Sequence, residues 1–486
     1  MEKSGRAIMK KLVAVLLSLA LVSAFVMPTF AGYALKGNIV ITNPYEAVDW
    51  DTWGAYKTQL HCHTNASDGY LTIKELVQYS YDLGYDILAV TDHGTLNQGW
   101  NNEPELIPLV RLVKYERTQL ADIIPLTEEE YQSYLTGTAA TTNGLVRTNG
   151  MLDVPLGIEL NMATPKCDCH LTGYFSDYGQ GFAGVYGDYE TPSAGVAEAG
   201  GISMLSHVGE YVYPDKDSAD HVGQKIDEYY VNKFARIFLD YPGSSLGMGI
   251  NSATDCHTRC DRILYDQILQ KTIPNGVVPW GFTFSDAHAD DCLDDAFTYT
   301  LMENFTLEDF RESMVKGQFF SVARYSNGVE LDGLREYPQG LDDNADITIP
   351  VPKITRITVN QEENTISVEG ENFDTIVWIS NGNVMKRGGT DDASLTFDVD
   401  DFSDASLFVR FYITGDGGIC YSQPFVISIE GVEFTPVTVP VTHDESTALR
   451  TLVTVLDDLV FKNSVIVKLF KYFALGYGDI SDLPIK

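Results

Sequence analysis

Six of the chain's nine histidines stand just after short apolar runs and alternate with carboxylates. His61-Cys62-His63 follows Tyr56 to Leu60, and Asp68 lies in the turn Ser67-Asp68-Gly69. Asp92-His93 follows the apolar run Ile87 to Val90, and Glu159 follows Pro155 to Ile158. His170 closes Cys167-Asp168-Cys169-His170, His207 follows Met204-Leu205-Ser206, and Asp286-Ala287-His288 follows Trp280 to Ser285. Residues i and i+2 of an extended segment point the same way, so His61 and His63 can face one cation. Asp286 and His288 repeat the arrangement with a carboxylate. For any one of these histidines a satisfied core position is an equal alternative; the ordered series is what favours ligation. Nitrogen and oxygen ligands without a convincing thiolate set favour zinc, manganese or iron over copper(I) or an iron–sulfur cluster. Nine such groups call for two or three divalent ions rather than one. Clustered divalent ions suit phosphoryl transfer, because they polarise phosphate oxygens and generate hydroxide near neutral pH.

The elements that must position these groups follow from the hydrophobic pattern. Ile73 to Leu83 has helical spacing, and Ile87 to Val90 reads as a buried strand. Leu156 to Ile158, Ile202 to Leu205 and Val278 to Phe282 read as further strands, each followed at once by polar residues. Helix then buried strand is the rhythm of a parallel α/β core, which carries its chemistry at the C-terminal ends of strands. Residues 97–153 interrupt the rhythm and are expected to be an insertion, acting as a lid. Prolines 350 and 352 and the acidic run from Leu341 to Asp346 mark a linker. From Ile354 to Glu430 short strands alternate with Gly, Asn and Asp punctuation, which predicts a small all-β sandwich over 350–432. Apolar residues at helical spacing from Leu449 to Tyr477 predict a helical tail over 443–486.

Composition sets the setting. With 486 residues, 44% hydrophobic and 21% charged, the chain can bury a large core. A formal net charge of −35 repels nucleic-acid backbones and anionic membranes, and so argues against both as partners. A small phosphorylated substrate stays compatible, because bound cations reverse the local field. The N-terminus has Lys10-Lys11, an apolar run from Leu12 to Met27 and small residues ending at Ala31. These are the three parts of a secretory signal peptide over 1–31. The expected location is therefore secreted or cell-surface, with no stable membrane span after the signal is removed. Seven cysteines leave the disulfide pairing open.

The order His-x-His, Asp, Thr-Asp-His-Gly, Glu, His, Ser-His, Asp-x-His resembles the polymerase and histidinol phosphatase (PHP) superfamily over roughly Trp53 to Arg324. The resemblance implies an α/β fold, a distorted (β/α)7 barrel within 32–340, with metals at the C-terminal mouth. It further implies that His61, His63, Glu159 and Asp286 hold one ion. Glu159 would bridge to a second ion held with His170 and His207, and Asp68, His93 and His288 would hold a third. A phosphoesterase using metal-activated hydroxide on a small phosphate ester is the function it supports, with His207 or a water protonating the leaving alkoxide. Members also include nucleases, so the chemistry transfers better than the substrate.

Other residues carry weaker signals. Arg324, after the strand-like Phe319 to Val322, ranks first among Arg259, Arg262 and Arg324 as a phosphate binder, and each could as easily pair with the acidic surface. Asp92 is a candidate to orient a ligand, and equally a simple turn carboxylate. Asp290, Asp291, Asp294 and Asp295 read as a solvated acidic loop, His221 and His443 as surface residues, and His257 as a surface loop residue in preference to one entering the pocket from its loop. Two other functions compete. A phosphodiesterase or nuclease on extracellular nucleic acid would usually need a basic track with aromatic stacking, and no basic cluster is present. A non-catalytic secreted binding protein would place its function in the β-domain, where Trp378 is the only tryptophan.

Overall fold

Thr72 starts the helix that the spacing predicts. Its hydroxyl accepts from the Glu75 backbone while the Glu75 carboxylate accepts from the Thr72 backbone, which satisfies two otherwise orphaned donors. The helix then buries Ile73, Leu76, Val77, Ser80 and Tyr81 as one stripe. The computed structural model describes residues 38–106, 123–163, 168–178, 189–210, 226–252, 261–324, 346–397 and 407–441. The expected signal peptide, the helical tail, Arg259, His221, His257 and His443 lie outside the described residues.

Up to residue 324 the strands are β1 (Ile39–Thr42), β2 (Gly54–Gln59), β3 (Ile87–Leu88), β4 (Thr95–Leu96), β5 (Glu105–Leu106), β6 (Leu152–Asp153), β7 (Ile158–Ala163), β8 (Asp168–Tyr174), β9 (Ile202–Leu205), β10 (Ser245–Ser252), β11 (Trp280–Phe284), β12 (Ala296–Met302) and β13 (Phe319–Ala323). Between them run α1 (Ile73–Asp82), α2 (Glu128–Thr136), α3 (Glu190–Glu198), α4 (Glu228–Asp240), α5 (Asp261–Thr272) and α6 (Leu307–Lys316). One sheet has the order β11-β10-β9-β8-β7, and a larger one contains β6-β3-β2-β12-β13. The two sheets touch through two isolated parallel bridges, Cys62 to Ala287 and His93 to Glu159. Among the described residues no continuous ladder closes them into the expected barrel. Between them lies an apolar core that includes Leu60, Ile87, Met204, Leu246, Phe282 and Phe284.

The alternation is less regular than the sequence suggests. β9, β10 and β11 are parallel, but β8 runs antiparallel to both β7 and β9. The run Leu156 to Ile158 is a turn into β7 rather than a strand of its own, since Leu156 is in the left-handed region with φ 57. Gly157 allows β7 to come close at this point: a Cβ there would strike the Val90 carbonyl oxygen. The insertion is also less detached than expected. Its helix α2 stacks Tyr134 edge-on against Tyr81, and its last residues form β6, which pairs with β3.

The C-terminal strands are β14 (Lys353–Asn360), β15 (Thr365–Glu371), β16 (Thr375–Ser380), β17 (Asn383–Gly388), β18 (Ser394–Thr396), β19 (Leu407–Gly415), β20 (Gly418–Tyr421) and β21 (Phe425–Ile429). They do not form a sandwich standing apart. β20 pairs with β13 and β21 with β1, so the larger sheet runs through both halves of the chain. The three-stranded sheet β14-β15-β18 supplies Ile357, Ile366 and Leu395 to a core shared with Trp378, Phe411, Tyr45 and Phe320. The reason lies in β20: Gly418, Ile419, Cys420 and Tyr421 are all buried. Four buried residues with no alternation carry no period from which a partner strand is legible. Among the described residues, no helix is long and apolar enough to cross a membrane.

Candidate metal centre

The His61-Cys62-His63 and Asp286-Ala287-His288 segments meet at their middle residues. Cys62 bridges Ala287, and the His63 backbone donates to the Ala287 carbonyl at 2.8 Å. The outer residues of both triplets therefore face the same space. His61 Nε2 and His63 Nε2 each lie 3.0 Å from Asp286 Oδ1. His288 Nε2 lies 3.4 Å from Asp68 Oδ1, and His93 Nε2 is 3.5 Å from Asp68 Oδ2.

Glu159 is at the centre. It is the second residue of β7, inside the strand rather than after it, and its side chain is fully buried. Its carboxylate lies 2.6 Å from His170 Nδ1, 2.7 Å from His93 Nδ1, 3.4 Å from His63 Nε2, 3.6 Å from His61 Nε2 and 3.7 Å from His207 Nε2. His170 is likewise mid-strand, on β8, with Asn161 as its register partner. His61, His207 and Asp286 each stand two residues past a strand end, in the way an α/β pattern predicts, and of these His207 and Asp286 share an unusual backbone. Both are non-glycine residues in the left-handed region, with φ of 23 and 51. Such backbone costs about 1–3 kcal/mol each and persists where the surroundings fix it, often at functional sites.

Three overlapping groups have ligand atoms within 4.8 Å of one another: His63, Asp68, His93 and His288; His61, His63, Glu159 and Asp286; and His93, Glu159 and His170. All nine sequence-selected ligands thus converge on one place, with His207 at 3.6 Å from Asp286 Oδ2.

The donor chemistry fits cations there. His61 Nδ1 lies 2.9 Å from Thr91 Oγ1, whose own proton goes to the Cys62 carbonyl. His61 must then give its Nδ1 proton to Thr91, which leaves a bare Nε2 lone pair pointing at carboxylate oxygens. His61 Nε2 and Glu159 Oε2 are buried and approach Asp286 Oδ1 and His93 Nδ1 at 3.0 and 2.7 Å, yet neither contact has the geometry of a hydrogen bond. Converging lone pairs and negative charges are costly unless a positive ion sits among them.

The protein's own charges also favour the ligating forms. Burial, reinforced by His288 and His93, pushes His63 down to about 3, so its ring is neutral. Burial raises Glu159 and Asp286, but the surrounding imidazoles outweigh it and hold both carboxyls well below the usual range. His288 is the exception: burial works against the charged ring, yet Asp68 and Asp286 lift it to about 9, which favours the protonated, non-ligating form until a cation displaces the proton.

The weaker candidates resolve differently. Arg324 is engaged away from the cluster. Its Nε and Nη2 donate to Asp294 at 3.2 and 2.6 Å, and Nη1 donates to the Ile349 carbonyl at 2.9 Å. Arg262 is buried, with Nη1 3.3 Å from Asn251 Oδ1. Asp290 and Asp291 are exposed, but Asp294 and Asp295 are buried, and Asp294 also pairs with Lys57. That half of the acidic loop is therefore not solvated. Sequence reasoning missed Thr91, Thr64 and Ser67, hydroxyl residues that contact the ligands or their supports. The available signal was their place one or two residues from a ligand or from Asp92.

Against this geometry, a PHP domain family model matches residues 59–229. Those residues form a PHP domain. The matched segment holds His61, His63, Asp68, His93, Glu159, His170 and His207, while Asp286 and His288 complete the cluster from beyond it. A 40-residue stretch is 50% identical to a 5'-3' exoribonuclease of Haemophilus influenzae, covering 8% of this chain and 15% of that relative's length. Among solved structures, a Bacteroides vulgatus two-domain protein said to contain a predicted PHP-like metal-dependent phosphoesterase is 13% identical. It covers 81% of this chain and 91% of its own, with a TM-score of 0.38. A lesion-specific endonuclease of Pyrococcus furiosus is 12% identical, covering 57% and 59%, with a TM-score of 0.31. Likeness at these TM-scores carries no weight for the function of this PHP domain.

Proposed function

We propose that this protein is a divalent-metal-dependent phosphoesterase that hydrolyses a small phosphate ester outside the cytoplasm. The observation that carries the reading is Glu159, one buried carboxylate within 3.7 Å of five imidazoles. We assign His61, His63, Glu159 and Asp286 to one ion, Glu159, His170 and His207 to a second, and Asp68, His93 and His288 to a third. Divalent ions held there would polarise phosphoryl oxygens and supply a strong oxygen nucleophile near neutral pH. The chain's own part is to hold these groups in a buried, pre-formed array, so that little reorganisation is needed as charge develops on phosphorus. The proton for the leaving alkoxide we assign to His207 or to solvent. The two bridges, Cys62 to Ala287 and His93 to Glu159, we read as the seams of a distorted seven-stranded barrel. Export rests on the basic, apolar and small-residue order of residues 1–31.

A second reading, a phosphodiesterase or nuclease, is favoured by the 40-residue similarity to an exoribonuclease. The net charge of −35 weighs against it. Turnover of p-nitrophenyl phosphate, bis(p-nitrophenyl) phosphate and short oligonucleotides by the manganese- or zinc-loaded protein separates the two. Monoester turnover that disappears in the His61→Ala/His63→Ala double variant supports the first reading. Oligonucleotide turnover alone supports the second, and a fully active double variant overturns both.

A further inference from the structure

Asp92 sits beside His93 in sequence, yet its carboxylate serves a different part of the site. Asp92 Oδ1 accepts from the Thr64 backbone and from Ser67 Oγ, both at 2.7 Å, and Oδ2 accepts from Thr64 Oγ1 at 2.7 Å. The directions are set by the surroundings: Thr64 Oγ1 accepts from the Ala66 backbone at 3.1 Å, so its proton goes to Asp92. Asp92 is fully buried, as are Thr64 and Ser67 within a few per cent. Its backbone carbonyl meanwhile accepts from the Glu159 backbone at 3.1 Å. One residue thus ties together the segments that carry His63 and Asp68, His93, and Glu159.

Ser67 links this carboxylate to a ligand. Its Oγ lies 2.7 Å from Asp92 Oδ1, 3.1 Å from Asp68 Oδ1 and 3.3 Å from His63 Nδ1. With its proton drawn to Asp92 at the shortest of these distances, the hydroxyl oxygen accepts from His63 Nδ1–H. His63 is then held in the tautomer whose Nε2 is bare and faces Asp286 and Glu159. Thr91 does the same for His61, but through a backbone carbonyl instead of a carboxylate.

We propose that Asp92 and Ser67 form a positioning relay, Asp92 to Ser67 to His63, that fixes the ring of His63 and the loop bearing Asp68 for cation binding. Neither residue touches the ion or the substrate; both act through His63 and Asp68. The inference rests on the metal-centre reading given above. His63 belongs to two of the three ligand groups and Asp68 to one, so the relay governs the Asp68 side of the cluster most. Partners of this kind typically change metal affinity by about 10–100-fold when removed.

The test is Mn²⁺ titration of the full chain, first stripped with EDTA, followed by calorimetry and by metal counting after desalting. The wild type, Ser67→Ala and Asp92→Asn are compared, and the Tm of each is measured in EDTA. Ser67→Ala is expected to weaken the affinity of at least one ion about 10–100-fold while the EDTA Tm stays close to wild type. Asp92→Asn, which keeps the shape and loses the charge, is expected to weaken the same ion. If Asp92→Asn fails to fold, Ser67→Ala decides alone. Wild-type affinity and ion count in Ser67→Ala would overturn the relay, as would a loss matched by a fall in EDTA Tm. A wild-type protein that takes up no Mn²⁺, Zn²⁺ or Fe²⁺ would instead sink the metal centre itself.

Discussion

Cys62 and Ala287 pair across one isolated parallel bridge, 225 positions apart in the chain, and each is flanked by two candidate ligands. The pairing turns two short motifs into one four-sided array, because residues on either side of a bridged pair in extended chains point the same way. It requires the ends of β2 and β11 to keep their register, and Glu159 requires the same of β7.

Glu159→Gln keeps the size and removes the charge that faces five imidazoles. The expected result is loss of at least one bound ion and a fall in turnover of about 100-fold or more, given the usual weight of such electrostatic groups. Metal counting and steady-state kinetics on the same preparation check it. Unchanged ion content would remove Glu159 from its central place.

Gly157→Ala puts a methyl group against the Val90 carbonyl oxygen, which is backbone and cannot swing away. Overpacking of this kind costs about 1–3 kcal/mol. Because β7 must shift to relieve it, Glu159 moves as well. A lowered Tm together with weaker Mn²⁺ binding is expected; a lowered Tm with wild-type binding would mean that β7 yields without carrying Glu159.

Asp153 sets a pH dependence away from the ligands. Its carboxylate accepts from the Trp100 backbone at 3.0 Å, is helped by the Tyr131 hydroxyl, and is pushed up to about 7 by burial. A raised folded-state value means that Asp153 contributes its full stability below its ordinary value near 4 and loses it as pH rises through 7. The loss is at most about 4 kcal/mol. Compared in EDTA, Asp153→Asn should gain stability relative to wild type from pH 4 to pH 7. A difference in Tm that stays constant over that range would place the carboxylate's titration elsewhere.

Arg324→Ala separates a phosphate-binding arginine from a structural one. Asp294 is buried and keeps Lys57 as its other partner, so the loss is expected below the 3–5 kcal/mol typical of a wholly orphaned buried charge. A clear fall in Tm with KM for the phosphoester unchanged is expected. A raised KM with unchanged Tm would return Arg324 to the substrate.

The site was more legible than the frame around it. His61, His63, Asp286 and His288 announce themselves because the two-residue period of extended chain is written directly in the sequence. The expectation that ligands follow strand ends misplaced Glu159 and His170, since an antiparallel β7–β8 pair and a parallel strand end look alike over a few apolar residues. Arg324 read as a phosphate binder or equally as a partner of the acidic surface, because Asp294, which it pairs with, looked like one of four equivalent loop acids. Only packing distinguishes the exposed Asp290 and Asp291 from the buried Asp294 and Asp295. The shared sheet was invisible for a similar reason: Gly418 to Tyr421 is too short to carry a pattern, and although one neighbour, β19, is the adjacent hairpin strand, the other, β13, is 95 or more positions away.

That short strand has a practical consequence for anyone dissecting the chain. β13 is covered on one side by β12 and on the other by β20, and Phe320 packs on Tyr45 at 4.9 Å between ring centres. A fragment ending near residue 324 would expose a bare row of amides and carbonyls along β13 beside an uncovered aromatic patch, the combination that invites strand addition and aggregation. Expressing the ligand-bearing half alone should therefore yield inclusion bodies, and co-expression of the missing half in trans is the route to a soluble product.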